Sequence, residues 1–116
     1  MIRNGVLSIW LGRVEPDGEA IDAFYESRGI GADVLGNGKD ENCFNTRGLD
    51  IEDFIAQMPF SSSFAEDVVA FARRQGIDAP RWISALYDYA HVPTHVDRSS
   101  LDDPIFIGVF DYSTDE

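Results

Sequence analysis

Hydrophobic residues are most concentrated near the start of the chain, in segment 6–12. This segment is apolar throughout except for Ser8 and Gly12, and it is rich in Val, Ile and Trp. It is too short for an ordinary helix, so the pattern predicts a strand buried on both faces. A strand of this kind lies in the middle of a sheet and has to be covered by helices. Gly12 is expected to end it, before a turn at 16–18.

Two later segments also predict strands, and both are expected neighbours of the first. Segment 81–89 alternates along its length, with one strongly apolar and one mixed face. Segment 105–112 is apolar for most of its length, and Gly108 in its middle indicates a bulge or close backbone packing. The polar loop of about fifteen residues between them still permits antiparallel pairing of the two. Segment 41–46 is expected to be either a short strand or irregular.

Three segments place apolar residues at helical spacing, namely 17–28, 49–58 and 64–75. The first buries a stripe formed by Ile21, Phe24 and Tyr25. The stripes of the second and third helices are formed by Ile51, Phe54, Ile55 and Met58, and by Phe64, Val68, Phe71 and Ala72.

Capping residues support these helix boundaries. Asp17 is the expected N-cap of the first helix. Asp50 is expected to cap the second, with Asp53 as an acidic variant of the capping box. Ser63 and Glu66 form the predicted capping box of the third. The sequence therefore predicts a single domain over 1–116 of the α+β class, a small mainly antiparallel sheet (strands near 6–12, 81–89 and 105–112) packed against about three helices.

The net charge of the chain limits the classes of partner that it is expected to bind. Twenty-one acidic residues against nine basic ones give a net charge of −12. Such a chain repels nucleic-acid phosphates and anionic membranes, so neither is an expected partner. It attracts a basic protein, although acidity that serves only solubility is the simpler explanation of composition alone. The single cysteine, the absence of a signal peptide and the absence of a membrane-spanning stretch predict a cytoplasmic protein.

Few residues offer catalytic or ligand chemistry. His91 and His95 have metal-ligand spacing, but Pro93 between them argues against a helix, so two solvent-exposed histidines are the favoured interpretation. Cys43 with a histidine could form a nucleophile and base, yet a lone cysteine beside an aromatic residue is more often a small buried hydrophobe. The glycine-rich turn 36–40 lacks the spacing of a phosphate-binding loop. No cofactor and no metal are therefore expected.

The aromatic residues have two interpretations. Trp10, Trp82 and Tyr87 are expected in the core, but large aromatics also serve as anchors at protein interfaces. Tyr89 and Tyr112 each lie beside an aspartate at a strand end, so they are the better candidates for the surface.

Four stretches of the chain resemble the immunity protein 22 family of bacterial polymorphic toxin systems. They are 8–12 (SIWLG), the segment 44–54 with its LDIEDF portion, the strand end 86–89 (LYDY) and the closing 106–110 (FIGVF). The aromatic and acidic cluster at 50–54 is the most specific of them. The resemblance implies a protein that binds a cognate toxin domain and protects the producing cell, without catalysis.

The leading hypothesis is therefore an inhibitor that docks an acidic and aromatic surface on a toxin domain, for which a nuclease with a basic cleft is one candidate. The residues expected to bind this partner are acids and one tyrosine: Asp50, Glu52, Asp53, Asp88 and Tyr89, then Asp102, Asp103 and Asp111. Two alternatives stay open. One is a small enzyme using Cys43, His91, His95 or a carboxylate pair; the other is an acidic adaptor or DNA mimic.

Overall fold

The computed structural model describes residues 2–31, 40–93 and 104–113 of the chain. In these ranges the elements follow the order β1 (Ile2–Gly12), α1 (Gly18–Ser27), β2 (Asp40–Phe44), α2 (Ile51–Ile55), a 3₁₀ turn (Ser61–Ser63), α3 (Ala65–Arg74), β3 (Trp82–Tyr89) and β4 (Ile105–Asp111). The predicted α+β class is confirmed. Strand β2 overlaps the undecided segment 41–46, so the strand alternative is the one observed.

The described strands form one antiparallel sheet in the order β2-β3-β1-β4. β1 is an inner strand, as the pattern at 6–12 predicted, and it extends further toward the N-terminus than that segment. β3 and β4 are its two neighbours, which confirms their predicted placement. They do not pair with each other, because β1 lies between them. Ile9 pairs with Gly108 whereas Trp10 pairs with Phe106, so the predicted bulge is present in β4.

The two faces of the sheet bury separate hydrophobic clusters. Alternate residues of β1 face opposite sides, so Leu7, Ile9 and Leu11 contact α2 and α3 while Trp10 contacts α1. Every residue from Val6 to Leu11 is at most 4% exposed. This confirms that the segment is a strand buried on both faces. Side chains on one face of the sheet are therefore separated from those on the other by the sheet itself.

The helices are shorter than their apolar patterns predicted. α1 begins after Asp17, whose carboxylate accepts from the Ala20 amide at 2.8 Å, as expected for its N-cap. α2 covers only Ile51–Ile55, although the four apolar residues of its predicted stripe are all buried. The chain then turns at Phe60, which has a left-handed backbone with φ of 61°.

Two expectations for α3 are wrong. Ser63 does not cap the helix; its hydroxyl donates instead to the Phe60 carbonyl at 2.6 Å, because Ser63 belongs to the preceding 3₁₀ turn. Phe71 is not buried with Phe64, Val68 and Ala72. It is 40% exposed at the side of α3, where its ring meets Phe110 of β4 edge to face.

Within the described part of the chain, no helix is both long enough and apolar enough to cross a membrane. Several expectations concern residues outside the described ranges. They are His95, Asp102, Asp103 and the glycine-rich turn at 36–39.

Candidate functional site

A group of exposed acids lies on α2 and α3 and at the N-cap of α2. Between positions 50 and 74 there are five acidic residues against two basic ones, and both basic residues are at the C-terminal end of α3. All five acids are exposed. We call them the acidic helical face: Asp50, Glu52, Asp53, Glu66 and Asp67. Three of the predicted partner-binding residues, Asp50, Glu52 and Asp53, are neighbours in sequence at the start of α2, and the packing of α2 against α3 brings Asp50 and Glu52 to Arg73.

Asp50 has a structural role on this face as well as a charge. Its carboxylate accepts from the Glu52 amide at 3.2 Å, which caps α2 and confirms the predicted N-cap. The same oxygen, Oδ2, lies 3.2 Å from the Arg73 guanidinium, and Glu52 lies 3.6 Å from it. The side chains of Asp50, Arg73 and Glu52 are 46%, 49% and 71% exposed, so these ion pairs add little stability.

A groove opens beside these ion pairs. It has a volume of about 500 Å³ and a mostly apolar lining. Its lining comes from one stripe of α3 and the adjoining part of α2 and the 3₁₀ turn: Glu52, Ser62, Ala65, Glu66, Val69, Ala70 and Arg73. The lining therefore combines apolar side chains with the carboxylates of Glu52 and Glu66.

Glu66 was expected only as part of a capping box, and neither Asp67 nor Arg73 was a predicted binding residue. All three lie on the polar side of α3, away from the buried Val68 and Ala72. Glu66 and Arg73 are seven residues apart, a spacing that places them on one face of the helix, whereas Asp67 lies about 100° from Glu66 around the helix axis. What the sequence did not provide was the neighbouring α2, which adds its own acids to the same surface.

A second predicted pair, Asp88 and Tyr89, lies at the end of β3 and has a different character. Asp88 has a positive φ of 57°, and its Oδ1 accepts from the Gly5 amide at 3.0 Å and the Tyr112 hydroxyl at 2.6 Å. The Asp88 carboxylate thus binds the β1 backbone in the stretch between Ile2 and Leu7, where the register of the β1–β3 pairing shifts. Asp88 therefore holds three strand ends together.

Tyr89 does not lie at the surface, contrary to expectation. It is only 9% exposed and packs in the cluster beneath α1, because the irregular backbone at Asp88 turns it to that face. Tyr112 is half-buried and its ring stacks on Phe60. Asp111 is exposed at the end of β4. Among the predicted residues that the structure describes at this end of the sheet, Asp111 is the one that is both charged and exposed.

The hydroxyl groups of Tyr112 and Tyr87 both have raised pKa values. Burial, followed by the hydrogen bond to Asp88 and its negative charge, raises the pKa of Tyr112 to about 12. Burial, followed by the charge of Glu41, also raises the pKa of Tyr87 well above its usual range. Both phenols are neutral hydrogen-bond donors at neutral pH. Tyr87 donates to the Pro59 carbonyl at 3.0 Å, which ties β3 to the turn after α2.

His91 is buried, whereas the sequence favoured exposure. It is 5% exposed, and its ring lies 4.8 Å from that of Trp10 and 5.1 Å from that of Phe106, measured between centroids. Its amide donates to the Ser8 hydroxyl at 2.9 Å. The chain after β3 folds back over the sheet here, so the polar sequence around His91 did not reveal its burial.

Cys43 and His91 do not form a nucleophile–base pair. Cys43 packs against the cluster beneath α2 and α3, whereas His91 contacts Trp10 on the opposite face of the sheet. Burial, followed by the charge and hydrogen bond of Glu41, raises the pKa of the Cys43 thiol to about 11. Almost none of it is thiolate at neutral pH, which opposes nucleophilic chemistry.

Metal ligands are also dispersed over the described ranges 2–31, 40–93 and 104–113. Within them, no group of three or more His, Cys, Asp or Glu residues is arranged to hold a metal ion. The acidic helical face and its groove are thus the candidate site. Its exposed carboxylates carry the charge that a basic surface would attract.

Comparison with known proteins finds no matching family model, no matching curated protein and no matching solved structure.

Proposed function

We propose that this chain is an immunity-type inhibitor that binds and neutralises a cognate bacterial toxin domain in the cytoplasm. The observation that carries the proposal is the acidic helical face, where five exposed carboxylates lie on two adjacent helices beside an apolar groove. A surface of this composition fits a basic, partly apolar protein surface. The family resemblance of segments 8–12 and 44–54 points in the same direction.

The proposed mechanism is occlusion of a basic substrate cleft. A toxin that acts on nucleic acid needs Lys and Arg residues to hold phosphates. Carboxylates on α2 and α3 would take the place of those phosphates and block access. The net charge of −12 would accelerate the encounter by electrostatic steering, which screening by salt weakens.

The predicted residues contribute unequally to this proposal. Asp53 is exposed on α2, so its carboxylate is accessible to a partner, whereas the exposed Glu52 lies 3.6 Å from the Arg73 guanidinium and would have to exchange that ion pair for one with the partner. The Asp50 carboxylate also accepts the hydrogen bond that caps α2, so a partner would compete with that bond. Asp88 is committed to Gly5 and Tyr112, so altering it would disturb the sheet before it disturbed binding.

Co-expression tests the function directly. The C-terminal domain encoded by the gene beside this one would be expressed in bacteria with and without the chain. We expect the domain alone to stop growth, and the chain to restore growth and co-purify with the domain. Absence of an adjacent toxin gene, or a toxic domain that kills despite a well-expressed chain, would contradict the proposal.

Charge reversal tests the proposed surface. Asp53→Lys should weaken toxin binding by at least about tenfold, mainly through slower association. Asp22→Lys is the matched control, since Asp22 is also an exposed helical aspartate but lies on α1. Association rates would be measured by stopped flow at low and high salt. Equal effects of the two variants, together with salt-independent association, would remove the acidic helical face from the mechanism.

A further inference from the structure

We propose that Asn4 is a site of spontaneous chemical modification, and that the hydrogen bond from the Gly5 amide to Asp88 controls how fast it reacts. The reaction is deamidation through a cyclic succinimide, for which asparagine followed by glycine is a particularly reactive pair. Asn4 directly precedes Gly5 in β1, and both residues are exposed. This inference does not depend on the proposed function.

The reaction needs no reagent other than water. The Gly5 backbone nitrogen loses its proton and attacks Cγ of the Asn4 side chain, so a bond between this nitrogen and Cγ forms. The bond between Cγ and the side-chain nitrogen breaks, and the side-chain nitrogen leaves as ammonia with that proton. Water then opens the ring at either carbonyl and leaves aspartate or isoaspartate at position 4.

The backbone conformation explains why the reactive pair is present. Gly5 has a φ of 81°, which lies in the left-handed region that residues with a Cβ rarely adopt. Glycine is also the following residue that obstructs the attack on asparagine least, because it has no side chain. The conformation at the start of β1 therefore gives Asn4 a neighbour that favours its modification.

The hydrogen bonds of Gly5 oppose the reaction in the folded chain. Its N–H, which has to lose the proton, donates to Asp88 Oδ1 at 3.0 Å. Its carbonyl accepts from the Tyr112 amide at 3.0 Å, so both peptide groups that flank this glycine are held. Attack by the nitrogen would break the bond to Asp88 and develop negative charge beside a carboxylate. Both effects raise the barrier.

Ring closure also requires a rotation of the backbone. The Gly5 nitrogen has to lie nearly eclipsed with Cβ of Asn4 about the Cα–C bond, which extended strand backbone does not provide. This rotation turns the Gly5 N–H away from Asp88, whose carboxylate also accepts from the Tyr112 hydroxyl at 2.6 Å. We therefore infer that Asn4 reacts when the start of β1 separates locally from the end of β3.

Modification would hinder the return to the native contacts. Isoaspartate inserts one methylene carbon into the backbone of β1, which displaces the Gly5 amide relative to Asp88. Either product also adds a carboxylate at position 4, next in sequence to the glycine that Asp88 binds, and like charges at short range repel. Each local opening that leads to reaction would thus leave this end of the sheet permanently weakened.

Peptide mapping by mass spectrometry follows the reaction at single sites. Cleavage after arginine and lysine places Asn4 in peptide 4–13 and Asn37, which also precedes a glycine, in peptide 29–39. The chain would be kept at mildly alkaline pH, either folded or unfolded in guanidinium chloride, where Asn37 serves as the reference. We expect Asn4 to react at least about tenfold more slowly in the folded chain, as for loss of a charge-assisted hydrogen bond. Asn4→Gln, which forms a less favourable larger ring, is the blank.

Two destabilising variants separate the local bond from overall stability. Asp88→Ala removes the acceptor of the Gly5 amide, whereas Ser8→Ala removes two other hydrogen bonds of β1 and keeps that acceptor. We expect Asp88→Ala to accelerate the folded-state reaction of Asn4 by at least about fivefold and Ser8→Ala by less than about twofold. Urea unfolding of each variant gives the fraction unfolded, for which the rates are corrected.

Asp88→Asn keeps the test decisive if Asp88→Ala does not fold. Asparagine retains an oxygen acceptor and loses the charge, so Asn4 should react at a rate between those of the parent and the unfolded chain. Hydrogen exchange of the Gly5 amide should accelerate in the same variant. Equal rates at Asn4 in the folded and unfolded parent would overturn the inference, as would equal acceleration by Asp88→Ala and Ser8→Ala.

The aged chain tests the structural consequence. Its isoaspartate form would be isolated by anion exchange and compared with Asn4→Asp, which has the same added charge without the extra methylene. We expect the isoaspartate form to unfold at a lower urea concentration than Asn4→Asp, and Asn4→Asp at a lower concentration than the parent. Identical unfolding of all three would overturn the proposed weakening of the sheet.

Discussion

The hydroxyl of Tyr112 donates a 2.6 Å hydrogen bond to the carboxylate of Asp88, a residue with the positive φ of 57° that non-glycine residues seldom adopt. The same carboxylate oxygen accepts from the Gly5 amide. One side chain thus joins the start of β1, the end of β3 and the residue after β4. The strain in the backbone of Asp88 persists because these contacts offset it.

Removing this carboxylate should therefore destabilise the fold. We expect Asp88→Ala to lower the free energy of unfolding by about 2–3 kcal/mol, since it leaves the strain and removes two hydrogen bonds. Asp88→Asn should cost less, because asparagine tolerates the left-handed region and keeps an acceptor. Urea unfolding of both variants gives the comparison. Equal losses would show that the side-chain acceptor does not matter.

Stability should fall in strongly alkaline solution. The pKa of Tyr112 is raised from an unfolded value near 10 to about 12, first by burial and then by its bond to Asp88 and the charge there. The folded state therefore favours the neutral phenol. Its contribution is fully present below about pH 10 and is lost as the pH rises through about 12. Tyr25 and Tyr87 shift in the same direction and for the same first cause, burial.

Tyrosinate absorbance and circular dichroism measured together would test this. Ionisation of the shifted tyrosines should coincide with loss of structure. Tyr112→Phe should retain more of its neutral-pH stability at pH 11 than the parent does. If the parent tyrosines all titrated near 10 with the fold intact, the assigned environment of Tyr112 would be wrong.

Cys43 should react slowly with thiol reagents at neutral pH. Its pKa is raised to about 11, chiefly by burial and then by Glu41, so the reactive thiolate is scarce. Glu41→Gln should speed alkylation by iodoacetamide at pH 8 by lowering this pKa. A control variant, Glu19→Gln, changes an exposed glutamate on α1 and should leave the rate unchanged. An alkylation rate that reached half its maximum near pH 8 would contradict the prediction.

Two fully buried serines should differ in what they contribute. Ser8 donates to the Tyr89 carbonyl at 2.6 Å and accepts from the His91 amide at 2.9 Å, whereas the Ser84 hydroxyl lies 3.5 Å from that of Tyr25. Ser8→Ala leaves two buried backbone groups without this partner. It should cost about 1–3 kcal/mol, and Ser84→Ala clearly less. Thermal unfolding measured on both variants would decide, and similar losses would contradict the assignment.

Much of the scaffold was predictable because local patterns agree with the tertiary structure. The apolar run at 6–12 has to be an inner strand, since no exposed strand could tolerate it, and Asp17 and Asp50 cap helices through bonds to nearby amides. The prediction for Ser63 was wrong because the same residue spacing is compatible with a helix cap and with a 3₁₀ turn, and the sequence does not distinguish the two. The predicted burial of Phe71 was wrong because an apolar helical stripe does not show how much of it the sheet covers.

The sequence by itself determined the acidity, the α+β class and the strand at the centre of the sheet, all of which follow from composition and from contacts within a few residues. Only the tertiary structure decided which acids share a surface. It placed α2 against α3 so that Asp50 and Glu52 face Arg73, it committed Asp88 to the backbone of Gly5, and it put His91 and Cys43 on opposite sides of the sheet. These relationships join residues far apart in the chain, and a local pattern carries no information about such distances.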